Sequence, residues 1–201
     1  MKRFFGTDGI RGYVNTYPMT ADMALRLGLA AGTYFRDGKH RHKAIIGKDT
    51  RLSGYMFETA LTAGLCAAGI DVYQVGPMPT PAIAFLTKNM RADIGVVISA
   101  SHNPFYDNGI KVINGLGHKL EAEVEAKIEC YIDGEVEERP LATGENIGRT
   151  IDFAAGRNRY LGYLISLPTR SFKNMRVGLD CSNGSASAIA KSVFDALGAK
   201  T

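Results

Sequence analysis

The chain has 201 residues, of which 45% are hydrophobic and 22% charged, enough for one buried core and the beginning of a second. No apolar run approaches the roughly 18 residues of a membrane span and the start lacks a signal-peptide core, so a cytoplasmic protein without membrane partners is expected. The net charge of +4 is spread rather than gathered on one element, so no nucleic-acid partner is expected, and the three separated cysteines suggest neither a disulfide framework nor zinc.

From Thr20 to Arg36 the apolar positions Met23, Leu27, Ala30, Ala31 and Tyr34 recur at helical spacing, with Gly38 beyond the end. The basic run Lys39-His40-Arg41-His42-Lys43 reads first as a solvated turn, a phosphate patch and a His-x-His metal site being the alternatives. Ala44 to Gly47 reads as a short strand, Lys48 to Ser53 as a polar loop, and the stretch to Ala68 as a helix closing on Gly69. Asp71 to Val75 alternates as a strand, and Thr80-Pro81 marks a helix start, with Thr80 as the capping residue. The run Gly95-Val96-Val97-Ile98 is a buried strand that ends abruptly at a polar loop. A second strand follows at Gly109 to Ile113, and Leu120, Val124, Ile128 and Tyr131 mark a helix.

Strands alternating with helices predict an α/β class: a three-layer α/β/α domain with a mixed sheet. Residues 134–148 are polar and acidic, which predicts a boundary between a first domain, 1–148, and a second unit, 149–201. That unit is expected to hold a helix around Tyr160, a strand at Arg176 to Asp180, a Ser182-Asn183-Gly184 turn and a helix ending near Gly198. One strand-loop-helix repeat cannot bury both its faces, so it reads as the start of a second, similar domain.

The chemistry is expected at Ser101-His102-Asn103-Pro104, where a rigid strand end delivers a hydroxyl beside an imidazole. A plain polar turn is the competing reading of the same spacing. Lys111, on the outgoing strand, and Arg11, in the glycine-dense turn Gly6 to Gly12, are cations suited to phosphate oxygens, although strand-end lysines and hairpin turns are common.

Three segments together resemble the phosphohexomutase family: Arg3-Phe4-Phe5-Gly6-Thr7-Asp8-Gly9-Ile10-Arg11-Gly12; Gly47-Lys48-Asp49-Thr50-Arg51-Leu52-Ser53-Gly54; and Ile98 to Pro104 continuing through Asp107 to Lys111. The resemblance implies a sugar-phosphate substrate and phosphorylation of Ser101. It also implies that His102 and Lys111 assist, that Arg11 faces the phosphate, and that Asn103, Thr7 and Asp8 line its surroundings. It further implies Mg2+ bound through the phosphate of Ser101, with aspartate ligands beyond residue 201. The wording around Ser101 resembles the glucosamine phosphate branch, which interconverts the 6- and 1-phosphates through a bisphosphorylated sugar and serves cell-wall precursor synthesis. The glucose and mannose phosphate branches and a non-catalytic phosphate-binding fragment are the alternatives. Family members have four domains, so this chain is expected to be an N-terminal portion with little activity alone. Asp180 is read as a turn residue rather than a metal ligand.

Overall fold

A computed structural model describes residues 4–135 and 140–201, leaving Arg3 of the first motif outside the described residues. Six strands form one mixed sheet: β1 (Ile10–Tyr13), β2 (Lys43–Lys48), β3 (Asp71–Pro77), β4 (Ile94–Ile98), β5 (Asp107–Asn114) and β6 (Thr150–Asp152), in spatial order β1-β5-β4-β2-β3-β6. Strands β4, β2, β3 and the edge strand β6 run parallel, while β5 pairs antiparallel with β4 and β1 antiparallel with β5 at the other edge.

Helices cover both faces because successive strand residues point to opposite sides. Ala44, Ile46, Val96, Ile98 and Val112 pack with α1 (Ala21–Phe35), α2 (Ser53–Ala67) and α4 (Ala122–Ile132). Their alternates Ile45, Val97 and Ile113 pack with α3 (Thr80–Asn89) and α5 (Gly156–Ser166). This is the expected three-layer arrangement. The last helix, α6 (Ala190–Ala196), ends at Gly198, whose φ of +94° suits glycine.

Three local features differ from the sequence reading. Pro79 takes the capping position of α3, with Thr80 and Pro81 inside its first turn. Lys48 belongs to β2 rather than to the following loop, and it is buried against Glu58 of α2 and the ring of Tyr55. Residues 176–180 form no strand: Arg176 makes one isolated bridge to Lys200, and extended backbone without a ladder on either side does not become a sheet element.

The sheet of the first unit also takes in residues past the expected 148/149 boundary. β6 pairs with β3 from Val72–Thr150 to Gln74–Asp152, and Tyr160 of α5 is buried in the second core cluster. The three cysteines form no disulfide and are half-buried rather than fully buried. Among the described residues, no helix is long and apolar enough to cross a membrane.

Candidate functional site

β2 and β4 are parallel neighbours, so the loops leaving their carboxyl ends lie side by side, the usual place for a ligand in such a sheet. The Asp49 N–H donates to Ile98 O at 2.9 Å and fastens the two strand ends together. Beyond β4 the backbone turns sharply, and Ser101 sits at φ +58°, a conformation that costs a non-glycine residue about 1–3 kcal/mol and needs support from its surroundings.

That support comes from Arg51. Its Nε donates to Asp49 Oδ2 at 2.9 Å, and its two terminal nitrogens donate to the carbonyls of Ser101, Asn103, Pro104 and Asp107. All five N–H donors of the guanidinium are thereby spent on one carboxylate and one loop. Ser99 completes the brace: its hydroxyl donates to Asp49 Oδ2 at 2.8 Å and accepts the Ser101 N–H at 3.0 Å. Asn103 Nδ2 donates to Asp107 Oδ2 at 3.0 Å across the loop. The Ser101 residue is exposed, with its Oγ 3.4 Å from His102 Nδ1.

Ser101, His102 and Asn103 line an open cleft of about 1300 Å³, together with Arg51, Tyr106 and the Ser182–Ser185 turn. Thr50 Oγ1 donates to Asn183 O at 3.0 Å, joining that turn to the β2–α2 loop. The Ser182 N–H donates to Asp180 Oδ1 at 2.9 Å, the turn role read for Asp180 from the sequence.

The other expected residues gather beside this cleft rather than in its lining. Asp8 accepts from Arg11 Nη2 at 2.7 Å and lies 2.9 Å from Lys111 Nζ, and the carbonyl of Thr7 accepts from Lys119. The Lys111 ammonium beside Asp8, with Arg11 adding to it, holds that carboxyl below its usual range against the opposing effect of burial. The turn is anchored from α4, where Glu129 Oε1 accepts the N–H groups of Phe4 and Phe5, both at 2.8 Å. The two clusters adjoin at Gly109, which pairs with Arg11 across β1 and β5 and whose carbonyl accepts the Ser99 N–H. A Cβ at Gly109 would stand 2.8 Å from both Arg11 Cγ and Ser99 O, so only glycine lets the arginine pass so close. The buried Nε of Arg11 has no hydrogen-bond partner among the described residues.

Arg51 and Asp49 are the functional candidates that sequence reasoning left without a role. The available signal was an Asp-x-Arg pair just after a buried strand, within a motif already singled out. A divalent cation at Ser101 finds few protein ligands in this part of the site. Asp49 is held by Arg51 and Ser99 and Asp107 by Asn103, and among the described residues no group of three His, Cys, Asp or Glu ligands surrounds Ser101.

Residues 2–139 match the family model described as phosphoglucomutase/phosphomannomutase, alpha/beta/alpha domain I. A phosphoglucosamine mutase of Lachnoclostridium phytofermentans is 58% identical over 202 residues, covering 100% of this chain and 44% of the relative. Another, of Nitratidesulfovibrio vulgaris strain Miyazaki F, is 59% identical over 201 residues, covering 99% and 45%. The crystal structure of a phosphoglucomutase/phosphomannomutase family protein from Burkholderia thailandensis superposes with a TM-score of 0.79 at 27% identity, covering 98% of this chain and 42% of that one. The chain therefore spans less than half the length of these relatives. The family model takes in well over half of the 201 residues, and the chain belongs to the phosphoglucomutase/phosphomannomutase family.

Proposed function

We propose that Ser101 carries a phosphoryl group and that the chain supplies the phosphoserine side of a phosphosugar mutase. The reaction is the cytoplasmic interconversion of glucosamine 6-phosphate and glucosamine 1-phosphate. The single observation that carries this reading is the brace on an exposed serine: four guanidinium donors fix the loop and the fifth holds Asp49, while the hydroxyl stays open to the cleft. Phosphoryl transfer depends on alignment and charge stabilisation, and a rigid, solvent-facing hydroxyl meets the first requirement.

In the forward direction the sugar C1 hydroxyl attacks the phosphorus on Ser101, the bond from phosphorus to Oγ breaks, and the proton lost by the attacking hydroxyl is balanced by one taken up at the leaving Oγ. A 1,6-bisphosphorylated sugar results. After it turns round in the cleft, Ser101 Oγ loses its proton and attacks the phosphorus at C6, the bond from phosphorus to the C6 oxygen breaks, and that oxygen takes up a proton, which restores the phosphoserine and leaves the 1-phosphate. His102 Nδ1, 3.4 Å from Oγ, is within reach to exchange the serine proton after a small adjustment. Lys111 and the unpaired Nε–H of Arg11 supply positive charge and a donor beside the cleft. A magnesium ion would take the Ser101 phosphate as its ligand from this chain and offset charge on the transferring group.

The amino sugar is favoured by the two relatives at 58% and 59% identity, both named for glucosamine phosphate. A chimera tests both parts of the reading: this chain replaces the matching segment of the Lachnoclostridium phytofermentans relative. The chimera should interconvert glucosamine phosphates, and Ser101→Ala should lower its rate by a factor on the order of 10³ or more. Undiminished turnover in Ser101→Ala contradicts the phosphoserine role. A strong preference for glucose or mannose phosphate contradicts the substrate assignment.

A further inference from the structure

At the end of the sheet opposite Ser101, the loops entering β2 and β4 meet. His40 and His42 precede β2, Asp93 immediately precedes β4, and the strands pair from Ala44–Ile94 onward, so the three side chains come from adjacent strand starts. His40 Nε2 is 2.8 Å from Asp93 Oδ1, His42 Nδ1 is 3.4 Å from the same oxygen, and the two rings are 4.0 Å apart. Asp93 Oδ2 accepts the Lys43 N–H at 2.8 Å, which fixes the direction of the carboxylate. One ligand atom from each residue lies within 4.8 Å of the others.

The state of His42 is an independent observation. The residue is 4% exposed, and neither ring nitrogen has a hydrogen-bond partner among the described residues. Its approach to Asp93 lacks hydrogen-bond geometry, so two buried polar atoms are left unsatisfied, an arrangement that native interiors avoid. His40, by contrast, is well exposed, and a surface depression of about 590 Å³ bordered by both histidines gives solvent a route to the cluster.

We propose that His40, His42 and Asp93 form a binding site for a transition-metal dication of the zinc type, with a fourth position open to solvent. Two imidazole nitrogens and one carboxylate oxygen suit zinc, whereas magnesium takes all-oxygen sets. Bonds of about 2.0–2.1 Å in a tetrahedron place ligand atoms about 3.3 Å apart. The two ligand-to-oxygen distances here, 2.8 and 3.4 Å, fall on either side of that value. Arg41 lies between the histidines in sequence, but its guanidinium is matched to Asp71 at 2.7 and 3.0 Å. Lys39 stays on the rim of the depression, where it weakens the attraction for a dication without occupying a ligand position. A metal held here would clip the starts of β2 and β4 together, away from the phosphate chemistry.

The test uses the 201-residue chain, freed of metal by a chelator and titrated with Co2+ and then Zn2+. The expected result is one Co2+ per chain with the d–d spectrum of a four-coordinate nitrogen and oxygen site, displaced by Zn2+, together with a rise in melting temperature. His40→Gln alters an exposed residue and should weaken binding at least about tenfold with the fold unchanged by circular dichroism. Asp93→Asn keeps an oxygen for the Lys43 N–H and should weaken it similarly, while the exposed His118→Gln should leave it unchanged. Failure to bind either metal at millimolar concentration overturns the proposal. So does binding indifferent to His40→Gln, or a thiolate charge-transfer band placing the metal on cysteine. Binding of inorganic phosphate alone in that depression, lost in His40→Gln and without metal uptake, would make it an anion site instead and equally overturn the proposal.

Discussion

Ser101 and Ser182 both adopt positive φ, 58° and 47°, and both border the same cleft, yet their surroundings differ. Ser101 follows a central strand and is gripped by an arginine from the neighbouring strand's loop, with Ser99 and Asp49 behind it. Ser182 follows a segment that pairs only at Arg176, and its turn is held by Asp180 and by the Gly184 N–H donating to Cys181 O. A left-handed serine is thus an ordinary turn residue. The Ser182 turn takes a single hydroxyl bond from the β2–α2 loop, at Asn183 O, whereas four donors of one arginine grip the Ser101 loop, and that denser brace is what turns one of the two into a candidate for group transfer.

The largest expected effect comes from removing that brace. Arg51→Ala leaves Asp49, only 13% exposed at its side chain, without its cation, and should cost about 3–5 kcal/mol in denaturant unfolding. Arg51→Lys should recover only a minor part, because an ammonium cannot span four carbonyls and a carboxylate. If Arg51→Ala unfolds like the parent, the contrast between the two loops loses its physical basis.

Next in size is Asp71, which accepts from Arg41 and from the Arg149 N–H at the start of β6. The Arg41 hydrogen bond holds its carboxyl below the usual range against the opposing effect of burial. A lowered folded-state pKa contributes stability above the unfolded value of about 3.9, and that stability is lost as pH falls through the folded value. Asp71→Asn should therefore cost about 1–3 kcal/mol at neutral pH, and the gap from the parent should close below about pH 4 in an acid unfolding series. In the terminal segment, Asp195 is also lowered, by Lys191 and then Thr201, but it is exposed and its substitution should leave the acid midpoint in place.

Ser99→Ala removes one donor to Asp49 and the acceptor for the Ser101 N–H, for about 1–2 kcal/mol by denaturant melting. Asp180→Ala, at an exposed turn, should change stability by no more than about 0.5 kcal/mol in the same measurement. Comparable losses at the two positions would mean that the Ser101 and Ser182 loops are held equally firmly.

The helix and strand alternation was legible because Met23, Leu27 and Ala31 of α1 bury one face at helical period, while Val96 and Val97 of β4 belong to a short run buried on both faces. β6 was not legible, since its three residues follow a polar stretch and become a strand only by pairing with β3. The converse holds at residues 176–180, where a local strand pattern finds no ladder. Ser101, His102 and Asn103 were readable as a polar loop after a buried strand. The role of Arg51 depends on β2 lying beside β4, and the pairing of Asp8 with Lys111 depends on β1 running antiparallel to β5. Neither adjacency is written in residue spacing. His42 was hidden in the same way, in a basic run that looks fully solvated until strand pairing turns one imidazole inward toward Asp93.

The most direct test is intact-protein mass spectrometry of the chimera that carries this chain in the Lachnoclostridium phytofermentans relative, after incubation with Mg2+ and a 1,6-bisphosphorylated hexose, followed by fragment mapping. The account predicts a mass increase of one phosphoryl group located on Ser101, absent in Ser101→Ala and at least about tenfold lower in Arg51→Ala. An adduct that persists in Ser101→Ala, or maps to any other residue, contradicts it.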